Sequence, residues 1–292
     1  MPGRRFDGIV GSGLMPGFRT TPAGCLTAVR LARFYPDKLE NGTGANSVEK
    51  CYLRMSQVLD RAVKLKIVLA NANRDVAKPA APIAEKKSWT VAEARRFLEV
   101  ARTHVYHPFW PLALHTGLRR GELLGLRWKD IDFATGTLRV VQTIPAINGR
   151  PSPQLRTKGG AGRTLDLDPE AVSLLAEHRE RQHERRATIA AWEDHDLVFC
   201  GPVGKPIWPD DVRMAFTRLA KRAGVPHVTT HGQRHTMATL WLAAGVNIKV
   251  VQERLGHSRA SITMNIYAHA MPGMQRQAVE QMRGLLDPSP ET

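Results

Sequence analysis

The chain has 292 residues, 42% of them hydrophobic, so it is long enough for two domains and apolar enough to bury a core. Lys and Arg total 42 against 27 Asp and Glu, and the net charge of +15 favours a polyanionic partner such as nucleic acid, with a merely basic soluble protein as the alternative. The cysteines lack CxxC spacing, which argues against a disulfide framework and a cysteine zinc site. No apolar run approaches the ~18 residues of a membrane span, so a membrane protein is not expected and the predicted location is cytoplasmic.

The N-terminal part of the chain predicts a small helical module. Residues 26–42 read as a short helix that stops near Gly42. Asn46 and Glu49 have the spacing of a capping box, and the amphipathic pattern that follows predicts a helix to about Leu65.

An Ala- and Pro-rich segment without helical periodicity, at residues 76–88, separates this module from the rest of the chain. It is typical of an interdomain linker. We therefore expect a first domain over residues 1–77, a linker over 78–88 and a second domain over 89–292.

The second domain is predicted to be mainly α with a small antiparallel β-sheet, an α+β fold. Thr90 and Glu93 form another capping box, and the helix that they open has an apolar face made of Val91, Ala94, Phe97, Leu98 and Ala101. Further predicted elements are a helix around 109–117, strands over 137–144 and 163–168 that can pair, a helix begun by Asp168 and Pro169, helices that end at Gly224, Gly245 and Gly256, and a last short helix that carries Tyr267.

The segment HGQRH, residues 231–235, permits two incompatible interpretations. His231 and His235 are four residues apart, as in a helical zinc-binding pair, whereas His231 and Arg234 are three apart and suit a negatively charged oxygen. A zinc hydrolase of the HExxH type has a glutamate where this chain has Gly232, and the cationic Arg234 would repel a metal ion. The metal interpretation is therefore disfavoured, and a helix start whose histidines only cap or pack stays open.

Five short motifs in one order change the balance between these interpretations. They are TGLRRGELLGLRW (116–128), TKGG (157–160), HGQRH (231–235), LGH (255–257) and NIYAH (265–269). Each of them is short enough to arise by chance, but the ordered set resembles the tyrosine recombinase, or phage integrase, family. The resemblance spans roughly residues 90–270, and a weaker similarity to the family's helical core-binding domain extends back to about residue 30.

The resemblance implies a set of catalytic residues: Arg119 of TGxRxxE, Lys158 of the hairpin, His231 and Arg234 of HxxR, His257 of LGH and the nucleophile Tyr267, with Glu122 as a supporting residue that orients Arg119. An attacked phosphodiester gains charge on its non-bridging oxygens, and a pair of permanently charged, forked guanidinium groups can clamp them. By resemblance, His231 takes part in acid–base catalysis and His257 donates a hydrogen bond to the phosphate. On spacing alone, Tyr267 also fits a half-buried core tyrosine.

The loop around Lys158 has two possible roles. By resemblance, this lysine protonates the leaving 5′ oxygen, because the neighbouring glycines let the backbone approach DNA closely. The alternative is a hairpin that only contacts phosphate. Two runs free of acids also suit phosphate contacts: Arg150, Arg156, Lys158 and Arg163 in the first, and Arg213, Arg218, Lys221 and Arg222 in the second.

The function implied by the resemblance is site-specific DNA recombination of the kind found in mobile elements. Strands would be broken and rejoined through a covalent 3′-phosphotyrosine, without metal, ATP or another cofactor. The expected partners are double-stranded DNA with attachment-type sites, further copies of the chain in a homotetramer, and accessory DNA-bending or directionality proteins. Residues 271–292 would either pass to a neighbouring subunit or pack as an ordinary C-terminal helix.

Two departures from the family pattern leave a second hypothesis open: the complete set of active-site residues favours an active recombinase, whereas the unusual N-terminal part favours an idle relative. Gln233 stands where the family usually has leucine, which replaces a packing contact with a polar one. The part before the linker is shorter than the usual core-binding domain (a SAM-like fold), and its first 25 residues match no known segment. The chain is therefore either an active recombinase or a catalytically idle or truncated DNA-binding relative of a mobile-element integrase.

Overall fold

The structure is a computed structural model that describes residues 21–81, 88–147, 150–153 and 162–257, together with residues 263, 264, 279, 282 and 283; for His231 it describes the backbone only. The chain divides into two compact units, Met1–Glu85 and Lys86–Thr292. The division falls inside the predicted linker, and the assignment of the first unit as a core-binding domain stays a prediction.

Helices α1 (Ala28–Glu40) and α2 (Ala45–Lys64) form the first unit together with a 3-10 turn at Ala72–Asp75. The buried Asn73 of this turn accepts a hydrogen bond from the Tyr35 hydroxyl of α1 and donates to Ser56 Oγ of α2 at 2.6 Å. The turn is thus fixed to both helices by buried polar contacts, as buried polar groups require.

The predicted helices of the first unit are confirmed, but the predicted cap of the second helix is wrong. The helix begins at Ala45, after Gly44, and no side chain caps it. The Gly44 carbonyl already accepts the backbone N–H groups of Ser47 and Val48, so the backbone becomes helical before Asn46 and that side chain lies within the first turn.

The second unit is mainly helical. Its described helices are α3 (Val91–Ala101), α4 (Phe109–Thr116), α5 (Arg120–Leu124), α6 (Pro169–Ala187), α7 (Pro209–Arg222), α8 (Thr230–Ala243) and α9 (Ile248–Leu255). The helices predicted to end at Gly224, Gly245 and Gly256 do so, and each of these glycines has a positive φ. The predicted final helix with Tyr267 lies outside the described residues.

A small antiparallel sheet completes the fold. Strand β1 is Ile131–Asp132, β2 is Thr137–Val140, and β5 is Arg163–Asp166; β2 pairs with both β1 and β5. The predicted pairing of two strands is therefore confirmed, and so is the α+β fold class. Sequence analysis missed β1 and a short hairpin of β3 (Ala146–Ile147) with β4 (Arg150–Pro151).

The strand predicted over residues 137–144 is shorter than expected, and the reason bears on the site. The ladder with β5 ends at Val140. Beyond it, the backbone N–H of Ile144 donates to the Gly121 carbonyl at 2.8 Å, so the chain turns away from the sheet and packs against α5.

An aromatic cluster links the first helices of the second unit. Trp89, Phe97, Trp110 and Phe216 are buried and lie with neighbouring ring centroids between 4.8 and 5.9 Å apart. Such contacts add to the free energy of burial and fix the helices relative to one another. Within the described residues, no helix is long and apolar enough to span a membrane.

The capping box of α3 is formed as predicted, whereas Val91 is 51% exposed and does not join the apolar face. We expect Thr90→Ala to lower the free energy of unfolding by about 1 kcal/mol, because Thr90 Oγ1 accepts the backbone N–H of Glu93. Urea unfolding measures the change. Thr217→Ala, in the exposed middle of α7, is the control and should be neutral or slightly stabilising; equal losses in the two variants would contradict the capping role.

Candidate active site

Arg119 is positioned by a sharp break between α4 and α5. Gly117 ends α4 with φ of +62°, and Arg119 is the extended N-cap residue of α5. The positive φ favours glycine here, and a Cβ atom on Gly117 would also displace the end of the Met237 side chain, whose Cε would lie 2.0 Å away. The break directs the Arg119 side chain, which is 32% exposed, towards the C-terminal end of α9.

The carboxylate of Glu122 is buried beneath Arg119. Its side chain is 2% exposed and accepts hydrogen bonds from the Arg119 backbone N–H at 2.9 Å and from Arg119 Nη1 at 2.7 Å. Arg163 adds a forked pair, Nη1 to Oε1 at 3.2 Å and Nη2 to Oε2 at 2.8 Å. Burial alone would raise the pKa of Glu122, but the hydrogen bonds and charges of Arg163 and Arg119 lower it to about 2.

Arg234 is held by the ends of two other helices. It lies in the first turns of α8, is 3% exposed, and donates from Nη1 to the Gly117 carbonyl at 2.7 Å and from Nη2 to the Leu255 carbonyl. These carbonyls lie at the C-terminal ends of α4 and α9, where the helix dipole favours a cation. Burial, and then the charge of Arg119, lower the pKa of Arg234 to about 9, so the guanidinium remains charged at neutral pH.

The two guanidinium groups approach the same turn of backbone. Arg119 Nη2 lies 3.4 Å from the Gly256 carbonyl, and Arg234 bonds to the carbonyl of the preceding residue, Leu255. Arg234 Nε is buried and has no hydrogen-bond partner among the described residues. The structure thus brings together two arginines that are 115 positions apart in the sequence.

His257 follows this turn directly. Gly256 has φ of +59°, and the His257 backbone N–H then donates to the Gln252 carbonyl at 3.2 Å. The His257 ring is half-buried, with Nδ1 2.9 Å from Thr263 Oγ1. His257 thus follows directly in the chain after the two residues whose carbonyls hold Arg234 and Arg119, and Thr263 orients its imidazole.

Helix α8 contains HGQRH in its first turns, after the N-cap residue Thr229. Gln233, which departs from the family pattern, is buried and donates from Nε2 to the Trp110 carbonyl of α4 at 3.3 Å. His235 is half-buried. Among the described side chains, which do not include His231, no group of three His, Cys, Asp or Glu is arranged to hold a metal ion.

The remaining sequence-predicted residues are placed as follows. Arg150 is exposed on β4, and Arg163 starts β5 but is only 15% exposed, with its donors engaged by other protein groups. Lys158, Arg156 and Tyr267, as well as the side chain of His231, lie outside the described residues. Sequence analysis treated Arg163 only as a DNA contact and missed its bond to Glu122; the signal was a lone arginine at the start of a strand in which Leu165 faces the core.

The sequence profile of the phage integrase family matches residues 88–273, well over half of the chain. The chain belongs to the phage integrase family of tyrosine recombinases. Among curated relatives of this recombinase, a tyrosine recombinase XerC-like protein of Caldanaerobacter subterraneus is 29% identical over 89% of the chain and 71% of the relative. The ICEBs1 integrase of Bacillus subtilis is 24% identical over 89% of the chain and 72% of the relative.

Solved structures support the same fold. The recombinase superposes on the Tn1549 transposon integrase, solved with circular intermediate DNA, with a TM-score of 0.75 at 21% identity, over 88% of this chain and 86% of the other. A lambda integrase tetramer bound to a Holliday junction gives a TM-score of 0.62 at 19% identity, over 81% and 66%. Family membership thus confirms the predicted activity, site-specific breaking and rejoining of DNA, and does not favour the idle relative.

Proposed function

We propose that this recombinase cleaves duplex DNA by attack of Tyr267 on a phosphodiester, which leaves a covalent 3′-phosphotyrosine that a second DNA hydroxyl resolves. The observation that supports this most is the convergence of Arg119 and Arg234 on the end of α9, beside His257. An attacked phosphate needs fixed cationic donors where its charge develops, and these arginines are held before the substrate arrives.

Arg119 and Arg234, together called the clamp from here on, would have different roles towards the phosphate. Arg234 is buried and gives one donor from each terminal nitrogen to backbone carbonyls, so its charge is fixed beneath the phosphate. Arg119 is partly exposed, with Glu122 behind it, and presents its remaining donors to the non-bridging oxygens. His257 would donate a further hydrogen bond to the same phosphate.

Proton transfer is assigned to groups whose side chains the structure does not describe. A tyrosine phenol in water has a pKa near 10 and is mostly protonated at neutral pH, so attack by Tyr267 requires a base and cationic surroundings that favour phenolate. His231, in the first turn of α8, is proposed as that acid–base group. Lys158 is proposed to protonate the leaving 5′ oxygen, with simple phosphate contact as its second candidate role.

Basic side chains outside the clamp would bind the DNA backbone. Arg218, Lys221 and Arg222 are exposed on α7, and Arg150 is exposed on the β3–β4 hairpin. Contacts of this kind give salt-dependent affinity without sequence preference. Arg156 is also proposed as a DNA contact, whereas Arg163, which the sequence predicts in the same role, is engaged by Glu122.

Recombination joins two duplexes, so we extend the proposal to a homotetramer on attachment-type sites, assisted by DNA-bending or directionality proteins. The lambda integrase tetramer on a Holliday junction supports such an assembly by analogy. The first unit would act as a core-binding module, and the DNA substrate accords with a cytoplasmic location.

The proposal is tested with nicked suicide duplexes tiled across the DNA that flanks the gene. The wild-type protein should form a covalent adduct that survives denaturing electrophoresis, and Tyr267→Phe should form none, because the variant lacks the attacking oxygen. Gel quantification of radiolabelled duplex measures the adduct.

Two controls accompany this experiment. Tyr106→Phe removes a half-buried hydroxyl elsewhere in the second unit and should keep the adduct yield of the wild type. A metal chelator should have no effect, and strong inhibition would restore the zinc interpretation of HGQRH. Absence of a wild-type adduct on every tiled duplex would favour the idle relative.

A further inference from the structure

All three guanidinium nitrogens of Arg163 donate hydrogen bonds to other parts of the protein. Its forked nitrogens bond to both oxygens of Glu122, at 3.2 and 2.8 Å, and Nε donates to the Arg254 carbonyl at 2.9 Å. The side chain is only 15% exposed. A guanidinium with these contacts is poorly available to a DNA phosphate, which separates Arg163 from the exposed arginines of α7.

The contacts between β5 and α9 are reciprocal. Arg163 of β5 reaches the Arg254 carbonyl in α9, while Arg254 Nη2 reaches the Asp166 carbonyl in β5 at 3.0 Å. The Arg254 guanidinium also lies 4.5 Å above the Trp241 ring of α8. Strand β5 is thus fastened to the helix whose C-terminal carbonyls hold the two arginines of the clamp.

Gly256 allows Arg163 to lie against this helix end. A Cβ atom at Gly256 would lie 3.0 Å from Arg163 Nη1 and 3.2 Å from Cδ and Cζ, closer than side chains ordinarily pack. The glycine that gives the turn its left-handed backbone therefore also leaves the space that the guanidinium fills. Arg163 contacts both the turn before His257 and the carboxylate behind Arg119.

We infer that Arg163 is a positioning residue for the recombination reaction: it fixes Glu122, and through Glu122 the guanidinium of Arg119, against the turn that presents His257. The inference rests on the proposed function, since it concerns the same phosphate clamp. In this role Arg163 acts through Arg119 and needs no contact of its own with the phosphate or the nucleophile. Its effect on catalysis passes through the geometry of Arg119.

Two substitutions of Arg163 distinguish the positioning role from a DNA-contact role. Arg163→Lys keeps the charge but loses the planar fork, and Arg163→Gln loses both. If Arg163 positions Arg119, both variants should form the adduct roughly 10- to 100-fold more slowly at saturating DNA, because small misplacements of a catalytic group have effects of that size. The duplex Kd, from fluorescence anisotropy, should stay within about twofold of the wild-type value, since no phosphate contact is lost.

Arg102→Lys is the matched control, because Arg102 pairs with Glu99 at i,i+3 spacing on the surface, with both side chains about 70% exposed. It should leave both the rate and the Kd unchanged. Rates are compared at a temperature at which circular dichroism shows every variant folded. A weaker Kd in Arg163→Gln with an unchanged rate at saturation, or a full wild-type rate in Arg163→Lys, would overturn the inference.

The pH profile distinguishes positioning from a general contribution to stability. Glu122 faces the cationic groups of Arg119 and Arg163, and Arg234 is charge-coupled to it from α8. Without Arg163, the pKa of the buried Glu122 carboxyl rises and protonation frees Arg119, so the acid limb of the adduct-formation rate should move up by about one pH unit or more. In the double variant with Arg163→Gln and Glu122→Gln, this displaced acid limb should be absent. An acid limb that stays in place in Arg163→Gln would contradict the inference.

A thermal-unfolding cycle tests the contact without DNA. Arg163→Gln and Glu122→Gln should be clearly non-additive in Tm, because each removes the partner of the other. Additive shifts would overturn the inference whether or not an adduct forms. A wild-type protein that forms no adduct would instead refute the proposed function, and the cycle alone would then decide whether Arg163 and Glu122 are coupled.

Discussion

Replacing Arg234 with lysine is expected to reduce the rate of adduct formation by roughly 100- to 1000-fold, the range seen when a fixed donor to a developing oxyanion is lost. The guanidinium bridges the carbonyls of Gly117 and Leu255, and in the proposed function its charge lies beneath the substrate phosphate. A lysine ammonium is a single compact donor group and cannot span both carbonyls and face the phosphate. The loss should therefore appear in the chemical step at saturating DNA.

Single-turnover kinetics on the suicide duplex measure this effect. Arg96→Lys, on the exposed face of α3, makes the same exchange away from the site and should keep the wild-type rate. Arg234→Lys should also unfold at a lower temperature, because a buried carbonyl loses its donor. A variant that unfolds earlier but cleaves at the wild-type rate would show that Arg234 is structural only.

Glu122→Ala is expected to lower the free energy of unfolding by about 3–5 kcal/mol, the usual cost of removing one partner of a buried ion pair. Its carboxylate is 2% exposed and accepts from both Arg119 and Arg163, so the substitution leaves two cations without their anion. Adduct formation should fall with it, because Arg119 loses its support. Urea unfolding with Glu253→Gln as the control, an exposed partner of Lys249, tests the size of the effect.

The same carboxylate makes stability depend on pH in a defined direction. The folded-state pKa of Glu122 is lowered to about 2. The unfolded value is near 4.3, so the carboxylate contributes about 3 kcal/mol that is fully present above ~pH 5 and is lost as the pH falls towards 2. In Glu122→Gln, the free energy of unfolding should depend less on pH over this acid range than it does in the wild type. Equal acid sensitivity of the two proteins would contradict the assignment.

Much of the fold could be predicted from local pattern. The capping box at Thr90 and the alternation in β2 and β5 involve residues close in sequence, where side-chain period and hydrogen-bonding capacity decide the structure. Two features were missed for local reasons. At Asn46, the backbone of Gly44 started the helix earlier, and β1 is only two residues long, too short to show alternation.

The sequence predicts the residues of the site but not the groups that hold them in place. Motif order indicated Arg119, Arg234 and His257, and the structure places them around one turn. The groups that hold them are mainly backbone carbonyls, which carry no sequence signal. The Arg163–Glu122 pair joins residues 41 positions apart. The position of Arg163 on the same strand face as the buried Leu165 is a local signal that it faces inwards, but it does not identify Glu122 as the partner.

The carbonyls that hold the clamp have a consequence for the order of folding. Arg234 bonds to a carbonyl 117 positions away, and Arg119 to one 137 positions away. Contacts of such sequence separation form late, because long loops must close before they are made. A nascent chain with only its earlier helices formed thus carries basic surface without an assembled clamp. We therefore expect the ability to cut DNA to arise only with the last long-range docking step, so that partly folded copies that bind DNA should not nick it.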